Sequence, residues 1–290
     1  MDGVDLLVLG GTGLAGRAIA TTARARGLTV KTLARAGEIA VDIRDAAALR
    51  QALDQVGPRT IINAAAIVSA AECETNPGDA WRVNARPAAI VAEHGRTAGR
   101  RAIHISTDHY YCGDGDRKHA ETEPVRLINE YARTKYAAEA FALTQANALV
   151  LRTNFIGWPS PRGTSFAEWA MSVIETDAPA DLYQDQFVSS LDVWTFAEAV
   201  VDLALGPATG VLNLAASQVF SKAQCVTELA RQAGRTITKT RLASVAEQAT
   251  IRADSLGLDV SRAEHILGRS LPDLEGVIAN LIRHLEDRRS

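Results

Sequence analysis

Short apolar runs alternate with longer mixed stretches through the first half of the chain. Leu6-Leu7-Val8-Leu9 has no polar interruption, as a strand buried on both faces requires. The Ala-rich stretch from Arg17 to Arg26 reads as a helix stopped at Gly27, and Leu28 to Leu33 as the next strand. Ile39 to Ile43 is a short apolar segment, Asp45 to Val56 a helix, and Thr60-Ile61-Ile62-Asn63 a strand running into Ala64-Ala65-Ala66. A long helix is predicted over Pro77 to Gly95, a strand over Arg101 to Ser106 and a polar, Gly-rich loop over 113–126. A helix over Tyr131 to Gln145 and a strand at Leu149 to Arg152 follow. Strands alternating with helices predict an α/β domain whose doubly wound parallel sheet is covered on both faces.

The pattern changes at residues 156–165, where Gly157, Pro159, Pro161 and Gly163 mark a loop or boundary. Helices are predicted at Ser165–Ile174, Leu191–Leu205 and Ser221–Ala233, a late strand at Val211–Leu214, and two helices within Leu258–Glu286, the second after Pro272. The expected organisation is a nucleotide-binding domain over 1–155 and a smaller, discontinuous C-terminal domain within 156–290. The chain would return to the first sheet around 188–235.

Composition narrows the function classes. With 47% hydrophobic and 22% charged residues the chain is an ordinary globular protein, and 290 residues can bury a sizeable core. Net charge is −3 and the basic residues are scattered, so a nucleic-acid partner is not expected. No apolar run approaches the length of a membrane span, and the start Met1-Asp2-Gly3-Val4-Asp5 lacks the basic segment of a signal peptide. Cys73, Cys112 and Cys225 are odd in number and far apart, which fits a reducing cytoplasm and offers no zinc spacing; the six His are equally dispersed, so no metal site is expected.

Two patterns carry chemistry. Gly10-Gly11-Thr12-Gly13-Leu14-Ala15-Gly16 lies between the first strand and the first helix. There, glycines let a pyrophosphate approach the backbone and a helix N-terminus offers it N–H groups. An NAD site usually carries an acid near the end of the second strand, whereas this chain has Arg35, suited to a 2′-phosphate; NADP(H) is therefore favoured over NAD(H). The small residues Ala64, Ala65 and Ala66 leave room for a ligand across the strand end. The second pattern is Tyr131 and Lys135, four residues apart, with Ile105-Ser106-Thr107-Asp108 upstream. On one helix face a nearby ammonium favours the phenolate and pulls a tyrosine down from its usual ~10.

These stretches, with Val41-Asp42-Ile43-Arg44-Asp45, Val83-Asn84, Leu151-Arg152-Thr153 and Leu258-Asp259-Val260-Ser261-Arg262-Ala263, resemble the extended short-chain dehydrogenase/reductase superfamily. The chain is most similar within it to the dTDP-4-dehydrorhamnose reductase family of nucleotide-sugar 4-ketoreductases. The resemblance implies a Rossmann domain joined to a substrate-binding domain, a nucleotide-sugar substrate and a homodimer. Gly10, Gly13 and Gly16 would face the pyrophosphate, with Thr12, Leu14 and Ala15 in the same turn; Asp42 and Ile43 would border the adenine, and Ala64, Ala65 and Ala66 would line the cofactor. Thr107 would hydrogen-bond the substrate oxygen, Tyr131 would pass it a proton, and Lys135 would hold the nicotinamide ribose.

Departures fall near the expected substrate. Related 4,6-dehydratases usually read Thr-Asp-Glu at the strand end; Thr107-Asp108-His109 argues against dehydration. The 4-ketoreductases usually read Thr-Asp-Tyr-Val-Phe, against Thr107-Asp108-His109-Tyr110-Tyr111 here, and Phe155 stands where the family carries a tryptophan. Asp108, His109 and Phe155 are thus the expected substrate contacts. The expected activity is NADP(H)-dependent reduction of a keto-sugar nucleotide. The alternatives are an epimerase with retained cofactor and an NADP-binding regulatory subunit without turnover.

Overall fold

The computed structural model describes residues 3–158, 164–247 and 253–289; Pro159, Pro161 and Gly163 lie outside them. In chain order the first elements are β1 (Leu6–Leu9), α1 (Leu14–Ala25), β2 (Val30–Ala34), β3 (Ile39–Ala40), α2 (Ala46–Val56), β4 (Thr60–Asn63), α3 (Ala70–Thr75) and α4 (Pro77–Ala80). A π-helical turn (Trp81–Ala85), α5 (Arg86–Ala98), β5 (Arg101–Ile105), α6 (Glu130–Ala142) and β6 (Leu149–Thr153) follow. Then come β7 (Phe155–Ile156), α7 (Phe166–Thr176), β8 (Ala180–Tyr183), β9 (Phe187–Val188), β10 (Leu191–Asp192), α8 (Val193–Leu205) and β11 (Gly210–Leu214). The chain ends with β12 (Phe220–Ser221), α9 (Lys222–Gln232), β13 (Thr240–Ala243), β14 (Ser255–Leu256), α10 (Ser261–Leu267) and α11 (Leu274–Arg289).

Seven strands form one sheet in the order β11-β6-β5-β4-β1-β2-β3, and β1 to β6 run parallel. The order reverses between β1 and β4, and in such sheets ligands bind beyond the strand ends at that switch. One face of the sheet packs Leu7, Leu9, Leu33 and Ile61 against Leu49 and Leu53 of α2 and Ile90 and Val91 of α5. Full burial of each such side chain is worth roughly 1.5–3 kcal/mol.

The chain divides into two compact units. The first comprises 1–107, 129–152 and 197–212; the second comprises 108–128, 153–196 and 213–290. Within the second, β8 pairs in parallel with β13, and β9 lies between β12 and β14.

The structure differs from the sequence expectation at two helices. The helix expected over Pro77–Gly95 is broken into α4, the π turn and α5. Pro87, at the start of α5, has no N–H to return to residue 83, and its ring crowds the carbonyl there; a widened turn relieves both. The helix expected from Leu191 starts only at Val193, because Leu191–Asp192 pairs with Phe155–Ile156 as a strand. The Asp192 carboxylate then accepts from Thr195 N at 2.8 Å, as a helix-capping side chain does.

Candidate active site

In the first unit the glycine turn is locked by close contact. Gly10 has φ +78°, and a Cβ built on it would lie 2.8 Å from Ala65 Cα and N. A Cβ on Gly16 would meet Gly10 O at 2.3 Å. Glycine is required at both places, and the turn after β1 is held directly against Ala64-Ala65 after β4. Thr12 is exposed, Gly13 and Leu14 are half-buried, and Ala15 is buried. No side chain caps the N-terminus of α1 and no acid occupies its first turn, so its leading N–H groups suit an anion.

Around β2 the acids are engaged and the arginine is not. Glu38 accepts from Lys31 Nζ at 2.8 Å and Arg24 at 3.1 Å. Asp42 is gripped by Arg44, with contacts of 2.6–3.1 Å that hold its carboxyl down at about 2. Ile43 beside it is buried. Arg35 is exposed and makes no hydrogen bond or ion pair among the described residues.

Tyr131 and Lys135 lie one turn apart on α6, which starts at Asn129; its Oδ1 accepts from Ala132 N at 2.8 Å. Tyr131 is buried against Cys73 and Ala80. Lys135 is 2% exposed, and its ammonium donates to Ile105 O at 2.6 Å and lies 3.5 Å from His104 Nε2. That carbonyl is two residues before Thr107, so the lysine and the end of β5 are tied together. Thr107 is buried. Burial pushes Lys135 down to about 8, against the opposing charge of Glu139 and the influence of Cys73.

Of the supporting residues, Asn84 and Arg152 fall in stretches that the sequence singled out, whereas Glu139 had no signal there. Glu139 pairs with Arg152 at 2.9 Å and accepts from Ser106 Oγ at 2.5 Å, with side-chain exposures of 2% for the glutamate and 5% for the arginine. Asn84, delivered by the π turn, accepts from Ile67 N at 2.8 Å and donates to Ile67 O and Thr134 Oγ1, both at 3.1 Å. A charge or an amide in a helix reads as a solvated surface residue; only the fold reveals that both are buried.

In the second unit Asp108 is 1% exposed and accepts from Asn154 Nδ2 at 2.8 Å; Asn154 Oδ1 in turn accepts from Ser190 Oγ at 2.9 Å. His109 Nε2 lies 3.8 Å from Asp108 Oδ1. Burial raises the Asp108 carboxyl, opposed by His109, Asn154 and Lys222. Phe155 stacks on Phe196 with ring centres 4.7 Å apart. Among the described residues no three His, Cys, Asp or Glu side chains could hold a metal ion, and no helix is long and apolar enough to cross a membrane.

Lys135 gives a pH dependence. Its ammonium is present below about pH 8 and lost above it. Activity that relies on that charge is expected to fall as pH rises through about 8, measured as a pH profile of kcat/KM. Stability moves the other way. The folded pKa lies below the ordinary 10.5, so the cost of the buried ammonium, full below about pH 8, is relieved between there and 10.5. A flat kcat/KM profile across pH 7–9 would remove the ammonium from the chemistry.

Comparison with known proteins gives concordant matches. The family model of the RmlD substrate binding domain matches residues 4–286. The dTDP-4-keto-6-deoxy-D-glucose reductase of Streptomyces niveus is 30% identical over 212 residues, 71% of this chain and 71% of that protein. The dTDP-4-dehydrorhamnose reductase of Escherichia coli strain K12 is 24% identical over 296 residues, 97% of this chain and 98% of that one. Among solved structures, dTDP-4-dehydrorhamnose reductase from Bacillus anthracis in complex with NADP has a TM-score of 0.87 at 19% identity, covering 98% of this chain and 99% of that chain.

Proposed function

The chain belongs to the RmlD substrate binding domain family of dTDP-4-dehydrorhamnose reductases and is an oxidoreductase, and from that premise we propose that it reduces a keto-sugar nucleotide, of the 4-keto-6-deoxy class, with NADPH. The observation that carries the reading is Lys135: a buried ammonium anchored at the end of β5, one turn from Tyr131.

Bound nicotinamide supplies the hydride for the carbonyl carbon. Tyr131 gives its phenolic proton to the carbonyl oxygen, and Thr107 donates a hydrogen bond to the same oxygen. Lys135 carries the positive charge that makes the departing phenolate less costly. Gly10, Gly13 and Gly16 admit the pyrophosphate to the backbone, and Lys135 also serves the nicotinamide ribose. Asp42 and Ile43 border the adenine, the carboxylate being committed to Arg44. Asp108, His109 and Phe155 meet the sugar.

Arg35 supports NADPH over NADH, because it is the unengaged group where both nearby acids are already paired. Arg35→Ala is expected to weaken NADPH binding about 10–100-fold and to leave NADH binding unchanged, since a charge-assisted phosphate contact is lost. Equal NADPH affinity in parent and variant, by fluorescence titration, would rule the assignment out.

The activity is tested by absorbance at 340 nm with a panel of 4-keto sugar nucleotides. Consumption of cofactor in proportion to sugar is the expected result. A sugar that changes configuration without net consumption would make the protein an epimerase. Cofactor that binds while no sugar changes would make it a binding subunit.

A further inference from the structure

Lys222 has a cationic side chain that the protein itself leaves unsatisfied. It is the first residue of α9, where the helix dipole disfavours a positive charge. Its ammonium sits 4.0 Å from the centre of the Phe166 ring. Among the described residues it makes no hydrogen bond and no ion pair. The residue is half-buried, and burial lowers its pKa against the favourable influence of Cys225 and Asp108. Partial burial of an ammonium without an anionic partner carries a cost, and an aromatic face recovers only part of it.

The surroundings supply the rest of a polar cradle. Asp108 is close enough to act on Lys222 electrostatically without pairing to it. Asn154 and Ser190 continue the polar chain from that carboxylate. A ligand that offers an oxyanion to Lys222 would give its ammonium the anionic partner that the described residues do not supply. In the proposed function Asp108 meets the sugar, and Lys222 lies in the same unit and within electrostatic reach of Asp108.

We propose that Lys222 binds an oxyanion of the sugar-nucleotide substrate. The oxyanion is a carboxylate carried on the sugar or a phosphoryl oxygen of the diphosphate. The inference rests on the sugar-nucleotide reading.

Calorimetric titration of the full chain with UDP, UDP-glucose and UDP-glucuronic acid, and with their dTDP counterparts, tests it in Lys222→Met and Lys222→Arg. Loss of the charge is expected to weaken binding about 10–100-fold, and arginine to restore most of it. Weakening confined to the uronic acid nucleotides identifies the carboxylate. Equal weakening of all probes identifies the diphosphate. Unchanged affinity for every probe in a Lys222→Met protein that still binds NADPH overturns the role of Lys222. If Lys222→Met fails to bind NADPH, Lys222→Gln is put through the same comparison. Parent protein that binds NADPH but none of the probes overturns the sugar-nucleotide reading instead, and this inference with it.

Discussion

Tyr131→Phe is expected to lower kcat by roughly 10²–10⁴-fold while NADPH affinity stays within a few-fold of the parent, because the change removes the proton donor. In free-energy terms that is about 3–5 kcal/mol of transition-state stabilisation. The ring would stay where it is, buried against Cys73 and Ala80, and Asn129 would still cap α6. Lys135 would also keep its bond to Ile105 O. The cost should therefore fall on turnover, with KM and melting temperature close to the parent. Single-turnover absorbance at 340 nm, with cofactor titration beside it, makes the measurement. A kcat within threefold of the parent would mean that another group gives the proton, whereas a chain that only binds cofactor would show no turnover to lose.

Glu139→Ala carries the second large effect, on stability. The carboxylate lies between the Arg152 guanidinium, in contact through two nitrogens at 2.9–3.2 Å, and the Ser106 hydroxyl. Removing it would leave a guanidinium that is only 5% exposed without its counter-ion. Breaking such a buried pair from one side typically costs 3–5 kcal/mol, mainly because the remaining charge is stranded. Midpoints of urea unfolding should show that loss. Because Arg152 lies on β6 and Ser106 just beyond β5, a weakened pair would also loosen the strand end that carries Thr107. Replacing both partners by apolar residues of similar volume is expected to be far milder than either single change. A Glu139→Ala protein as stable as the parent would show that Arg152 finds another partner or water.

The two halves of the chain were unequally legible. Leu6–Leu9 is wholly apolar, and Thr60–Asn63 and the strand from Leu149 hold the unbroken apolar runs Ile61-Ile62 and Leu149-Val150-Leu151 on strands buried on both faces, so their type is plain. The glycines stand where a Cβ would strike backbone, a constraint that leaves its mark on the sequence. Tyr131 and Lys135 are local partners, and their spacing alone puts them on one face. The parallel pair of Ala180–Tyr183 with Thr240–Ala243 is different: its members are sixty residues apart and partly exposed, so no periodicity betrays them. The helix Ala70–Thr75 is short and begins at a serine cap inside what reads as an apolar run. At the site, Lys222, Asn154 and Glu139 are meaningful only through what they face. Isolated polar letters carry no record of burial, and each bonds or faces residues that the chain brings from elsewhere.

The π turn at Trp81–Ala85 makes the length of this segment as important as its composition. One residue of helix corresponds to about 100° of rotation. Deleting a single residue here would restore a regular helix and swing Asn84 away from Ile67 and Thr134. Trp81 and Arg82 are exposed, and among the described residues their side chains bond only Glu130 and Asp79, so a change of residue there disturbs less than a change in their number. Insertions and deletions should be absent from this turn across descendants of the same ancestor, even where its letters drift.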